Sequence, residues 1–276
     1  MGNGSNHAMP CMRNGLLAFA LCCGASCAVL SVGAGSRAMP KSRAAGNAKR
    51  GWQLYNRALS AIKRRHYKTA IRLFRRAVSA GDADAMADVG YMYATGKGVR
   101  PDAAQAVKWY RRGAAAGDDY AMADLAFHYQ QGTGVGRNYG KAMKWAKKAA
   151  ALGNAEAMNR VGLLYENGDG VARNYAASLE WYHKAYAAGS AWGANNIGLH
   201  YENGTGVPMN YITAMKWYRR AAAAGNFSAM EHIGFVFDHN LGVARNNAKD
   251  RRIINCRKAR RHGIIPKDVL KMEILF

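Results

Sequence analysis

The sequence predicts an all-α solenoid, and three ladders of residues sharing one step predict it. Trp109, Trp145, Trp181 and Trp217 stand 36 residues apart, and so do Gly81, Gly117, Gly153, Gly189 and Gly225. Gly98, Gly134, Gly170, Gly206 and Gly242 form a third ladder with the same step, each followed by Val. A fixed period of this size belongs to stacked helical units, each burying against its neighbour a face it could not bury alone.

Taken in order, the chain opens on a targeting pattern. Met12-Arg13-Asn14 precedes an apolar run from Leu16 to Val32, followed by small residues that allow cleavage after Ala34 or Ala38. A short basic stretch, an apolar run and small residues at the cut are the parts of a secretory signal peptide, expected here over residues 1–38. The run holds Gly24, Ser26, Ser31 and three cysteines, which suits a permanent span of roughly 20 strongly apolar residues poorly. Its acid-free, Arg-bearing character also fits an organelle transit peptide. The expectation is therefore an exported protein, periplasmic or secreted, with organelle targeting as the alternative. Residues 39–50 read as a flexible basic linker. Of the five cysteines, only Cys256 falls in the expected folded body, so no internal disulfide is available there.

The repeat array is expected over residues 51–262. In its least regular first unit, Trp52, Tyr55, Leu59 and Ile62 mark one helical stripe. A second helix, Thr69 to Ser79, carries Ala70, Leu73, Phe74 and Ala77. Gly81 closes it where a left-handed turn favours a residue without Cβ, and Asp82 is placed to start the next helix. Each later unit has a helix A with Ala85, Met86, Val89, Gly90 and Tyr93 or their counterparts. A loop of the Gly96-Lys97-Gly98-Val99 type follows, then a helix B with its Trp-Tyr pair. Trp109, Trp145 and Trp217 are expected in the core.

The joint motif (Ala-Met, Leu-Gly-x-x-Tyr, Gly-x-Gly-Val, Lys-Trp-Tyr, Ala-Ala-x-x-Gly) resembles the Sel-1-like repeats, relatives of the tetratricopeptide repeats, from about Ala48 to His262. The resemblance implies a right-handed superhelix of antiparallel helix pairs, with the A helices on the concave side. The pattern wears at its end: Asn240 replaces a loop glycine and Ile253 a tryptophan. A short capping helix within residues 263–276, starting after Pro266, would close the core.

Catalytic and ligand chemistry finds little support. The glycine loops lack a preceding strand and the Gly-Lys-Ser/Thr ending of a phosphate cradle. His232 with His239, or His128 with His200, closes no metal site by itself. Carboxylates such as Asp84, Asp88, Glu156 and Glu166 show no pairing that would split their acidities, and no Ser/His/Asp or Cys/His arrangement is visible. No metal, no cofactor, no small-molecule substrate and no enzymatic activity are expected.

Charge offers one interaction surface. Lys and Arg number 40 against 17 Asp and Glu, and the first 81 residues hold no acid. Arg72, Arg75, Arg76; Lys108, Arg111, Arg112; Lys144, Lys147, Lys148; and Lys216, Arg219, Arg220 occupy the same positions of helix B. Such a stripe can follow nucleic acid or an acidic membrane surface, with steep salt dependence, which makes a polyanion binder the alternative function; the plainer reading is a solvated outer face.

Helix A offers the other. Four slots on one side of it differ between otherwise alike units: Asp84, Asp88, Met92, Thr95; Tyr120, Asp124, His128, Gln131; Glu156, Arg160, Leu164, Asn167; Trp192, Asn196, His200, Asn203; and Ser228, His232, Val236, His239. Positions that stacking does not fix are free to read a ligand. The expected function is a scaffold whose groove accepts an extended or helical segment of a protein partner. Tyr120 and Trp192 would be the anchors, Arg160, Asn196 and His200 the polar selectors, with Asp88, Asp124, His128 and His232 beside them. Aromatic and Arg side chains are where binding energy tends to concentrate.

Overall fold

The computed structural model describes residues 46–239 and residue 241. The expected leader, residues 39–45 of the linker, most of the worn last repeat with Ile253 and Cys256, and the closing helix lie outside the described residues.

Among the described residues the chain is all helix: α1 (Gly46–Lys63), α2 (Tyr67–Ser79), α3 (Ala85–Thr95), α4 (Ala103–Ala115), α5 (Asp119–Gln131), α6 (Tyr139–Ala151), α7 (Ala155–Asn167), α8 (Tyr175–Ala187), α9 (Ala191–Asn203), α10 (Tyr211–Ala223) and α11 (Phe227–Asp238). Odd-numbered helices are the A helices and even-numbered ones the B helices. Residues 46–50, expected as linker, belong to α1; Ala48, Lys49 and Arg50 are good helix formers leading into an apolar stripe.

Two compact units divide the chain at Gly113–Ala114. In the first, α1 packs on α2, and Leu54 and Ala58 are buried with Ala70, Leu73, Phe74 and Ala77. Trp52 is only half-buried, and Tyr55, Leu59 and Ile62 flank this core rather than fill it. Helix α3 starts later than Asp82 implied. Asp84 stands at its N-cap, where its side chain does not cap the first-turn N–H groups, while Asp82 packs against Gly51 of α1.

In the second unit, α5 pairs with α6, α7 with α8 and α9 with α10, and each B helix packs on the A helix that follows. Starts and stops are local chemistry. Asp118, Asn154, Ser190 and Asn226 cap the A helices, and Asn138, Asn174 and Asn210 cap the B helices, each side-chain oxygen accepting from a first-turn N–H. Such a cap is worth about 1 kcal/mol. Helix α7 ends at Gly168 with φ 76°, a left-handed backbone that a Cβ disfavours.

The core differs from the expectation in one respect. Tyr110, Tyr182 and Tyr218 are the buried members of the Trp-Tyr pairs, whereas Trp109, Trp145, Trp181 and Trp217 are half-buried. Helical geometry explains the choice. Tyrosine points from helix B onto the partner helix, where Gly90, Gly162 and Gly198 leave room for its ring. Tryptophan sits one step round, at the margin. In the unit that has Ala146 in place of tyrosine, position 126 is Ala instead of Gly, and both are fully buried.

Candidate functional site

The four variable slots of helix A separate by depth. The third slot is core throughout: Met92, Leu164 and Val236 are buried, and so are His128 (4% exposed) and His200 (1%). Both histidines use Nδ1 to donate to a loop carbonyl, His128 to Thr133 O (2.7 Å) and His200 to Thr205 O (2.8 Å). Burial lowers the pKa of His128; the Thr133 carbonyl opposes this and the positive charge of Arg160 adds to it. A partner cannot reach these two side chains, because the slot faces the neighbouring helix. They lock the loop to helix A.

The second slot is bound to neighbouring repeats. Arg160 on α7 donates from Nη1 to Gln130 Oε1 on α5 (3.1 Å), with its guanidinium 4.9 Å from the Phe127 ring. Asn196, 7% exposed, donates to Asn159 Oδ1 (2.9 Å). His232 stacks on Tyr218 with centroids 4.8 Å apart and lies 3.3 Å from Glu202 Oε2. Asp124 is half-buried on α5. In the first unit, Asp88 is half-buried against Tyr55, whose pKa is raised by burial and then by the charge and hydrogen bond of Asp88. The side chains expected to select a ligand are therefore committed to stacking, and Asn196 and His200 are removed from any exposed face.

These pairs gather into polar clusters that the sequence did not announce. Tyr182 donates to Glu166 Oε2, and Tyr218 donates to Glu202 Oε2 one repeat later. His200 Nε2 lies 3.6 Å from Glu166 Oε2 and 3.5 Å from Ser178 Oγ. Desolvation pushes the Glu166 pKa up, but the bonds from His200 and Tyr182 outweigh it and hold the carboxyl below its ordinary value. Ser, His and Glu thus meet, yet not as a catalytic triad. A triad orients the acid on Nδ1 and the hydroxyl on Nε2, whereas here both approach Nε2, and Ser178 is fully buried. The signal was present in the 36-residue step from Glu166 to Glu202 and from Tyr182 to Tyr218. No group of three or more His, Cys, Asp or Glu suited to a metal occurs among the described residues.

The exposed residues on the A helices of the second unit are Tyr120, Gln131, Asn167, Asn203, Phe227 and Asp238. Tyr120 is 47% exposed and Phe227 41%, and Trp192, in the same slot as Tyr120, is half-buried. Burial, then the charges of Asp119, Glu156 and Asp118, raise the Tyr120 pKa. Charge is sorted by helix. Helices α5, α9 and α11 contain no Lys or Arg and α7 contains only Arg160, while α6, α8 and α10 carry Lys141, Lys144, Lys147, Lys148, Lys184, Lys216, Arg219 and Arg220 against Glu180 alone.

The basic ladder is held on aromatic rings. Lys148 lies over Trp145 (4.8 Å), Lys184 over Trp181 (4.5 Å) and Arg220 over Trp217 (4.5 Å). Lys147 donates to the Tyr165 hydroxyl (3.2 Å). In the first unit Arg112 covers Trp109 (4.3 Å).

Helix pairs in this register, each closed by a left-handed glycine and joined to the next by side-chain pairs, define an all-α repeat protein of the tetratricopeptide-like class. The model of the Sel1 repeat matches residues 53–82, 83–118, 119–154, 155–190 and 193–226, more than half of the chain, and the chain belongs to that family. A Sel1 repeat protein from Oxalobacter formigenes is similar in structure, with TM-score 0.67 and 27% identity over 80% of this chain and 91% of that one. A protective antigen present in uropathogenic Escherichia coli strains, displaying an SLR fold, gives TM-score 0.59 and 29% identity over 76% of this chain and 48% of that one. An immunity protein from Pseudomonas aeruginosa, 20% identical with TM-score 0.55 over 85% of this chain and 84% of that one, shares the fold. Among curated proteins none matches. Sel1 repeat proteins are in general non-catalytic scaffolds that bind protein partners.

Proposed function

We propose that this chain is an exported scaffold that binds a protein partner on the A-helix face of its second unit. Tyr120, Trp192 and Phe227 act as the anchors. One observation carries the reading: Tyr120 and Phe227 stay exposed while the deeper slots of the same helices are used up in holding repeats together. Large aromatic area left at the surface of a rigid support suits an interface anchor, where a few such residues dominate affinity. Export rests on the leader pattern of residues 1–38, and N-terminal sequencing of the mature protein tests it: a start at or near residue 35 or 39 is expected, and retention of Met1 or Met12 contradicts it.

The binding reading is tested by a nuclease-treated pull-down from native lysate at low and high salt, using the mature chain beside Tyr120→Ala and Trp192→Ala. A discrete protein that survives salt and is lost with both variants is expected. Equal capture by all three proteins would refute the face. The held cations of α6, α8 and α10 favour a second reading, a polyanion surface. Its mark would be bound nucleic acid or acidic lipid that dissociates steeply with salt and is indifferent to Tyr120 and Trp192.

A further inference from the structure

We propose that the aromatic face at the start of the second unit's A helices takes a Lys/Arg-rich extended segment of its partner, with a basic side chain laid over the ring of Tyr120. This rests on the protein-binding reading and specifies the chemistry of the partner. Charge complementarity on an aromatic platform carries it. A cation over a tyrosine ring gains about 0.5–1 kcal/mol when exposed and about 2 when desolvated, and Tyr120 presents such a ring 47% open to solvent. Asp119 stands beside Tyr120 in the first turn of α5, and Glu156 holds the equivalent slot of α7, one repeat on. Asp119 Oδ2 accepts one bond, from Asn154 (2.9 Å), and a carboxylate has roughly four acceptor positions.

The formal net charge of +23 does not oppose this docking. Screening limits surface charges to about 8 Å at physiological ionic strength, so a segment on the A helices responds to the local carboxylates. The same segment laid on α6, α8 or α10 meets lysine and arginine and is repelled; an acidic segment is turned away from Tyr120. Sorting of charge by helix thus selects both the sign of the ligand and the face it uses.

The test uses fluorescence anisotropy with two labelled decapeptides, one alternating arginine and alanine, the other glutamate and alanine, against the full mature chain. The variants are Tyr120→Ala/Glu156→Gln and, as a control that removes a carboxylate from a B helix, Glu180→Gln; circular dichroism melts confirm that each is folded. The basic probe is expected to bind, to weaken by about tenfold in the double variant and to bind Glu180→Gln unchanged, while the acidic probe ignores the Tyr120 face. Basic-probe binding that is absent, or equal in the wild type and the double variant, overturns the proposal. So does a partner captured through Tyr120 and Trp192 whose cross-linked segment is acidic or uncharged, although the protein-binding reading then stands. Capture indifferent to Tyr120 and Trp192 defeats that reading itself.

Discussion

Gly198→Ala should destabilise this protein, although at an exposed helical position the same change is stabilising by about 1 kcal/mol. A Cβ at residue 198 would lie 2.5 Å from Tyr218 Cε1, 2.7 Å from Cδ1 and 3.1 Å from Cζ. The ring cannot retreat easily. It is fully buried, stacks on His232 and donates its hydroxyl to Glu202. Forcing a methyl into such a contact costs about 1–3 kcal/mol, so the net loss after the gain in helix propensity is roughly 1–2 kcal/mol. The decisive arm is the background. Tyr218→Ala alone costs about 3–5 kcal/mol through the cavity it leaves, but once the ring is gone, Ala at 198 should recover about 1 kcal/mol. The chain already contains that combination as Ala126 with Ala146. Conversely, Ala146→Tyr should destabilise and Ala126→Gly should rescue it. Urea unfolding followed by circular dichroism, with hydrogen exchange resolving α9 and α10, reads all of these. Stabilisation by Gly198→Ala in the wild-type background, or one sign in both backgrounds, would refute the reasoning.

Three further outcomes follow from the polar pairs. Arg160→Met should cost about 1–3 kcal/mol, because it leaves the mostly buried Gln130 without a donor, and Gln130→Met in the same chain should return part of it; urea midpoints of the two variants decide. Glu166 has its folded pKa depressed, so its contribution is present above the unfolded value of about 4.3 and is lost as pH falls through the folded one. Unfolding free energy in Glu166→Gln should therefore decline less steeply below about pH 4 than in the wild type. His128 is likewise depressed by burial: the unfolded chain binds its proton more readily, and stability falls as pH drops below about 6.5. His128→Leu, which copies Leu164 one repeat on, should flatten the pH dependence between about pH 7 and 5, and an unchanged slope would count against a buried neutral imidazole.

The helix pairs could be read from the sequence because their determinants are local and repeated: capping Asn or Asp, left-handed Gly, and small residues opposite tyrosine. The site was less legible. Variation among Arg160, Asn196, His200 and His232 looked like freedom, since a single repeat shows no reason for any of them. Each reason lies in another helix, in Gln130, Asn159, Glu166 and Glu202. Which positions meet differs from repeat to repeat, Glu166 facing His200 of the third slot and Glu202 facing His232 of the second, so a variable position can still be specified by packing. Tyr120 is 47% exposed at the start of α5, whereas Trp192 in the same slot of α9 is half-buried. The tryptophans were misplaced for a related reason. Their periodicity matches that of the core, and only the turn of helix B decides that Tyr182 points in and Trp181 supports Lys184.

The most direct test of the A-helix face is site-specific photocross-linking in the organism that makes the protein. A benzophenone amino acid would replace Tyr120 on α5 in one chain and Lys144 on α6 in another. The account predicts a discrete protein adduct from position 120 and none of that mass from position 144. An adduct from position 144 alone would place partner binding on the basic B helices and contradict the account.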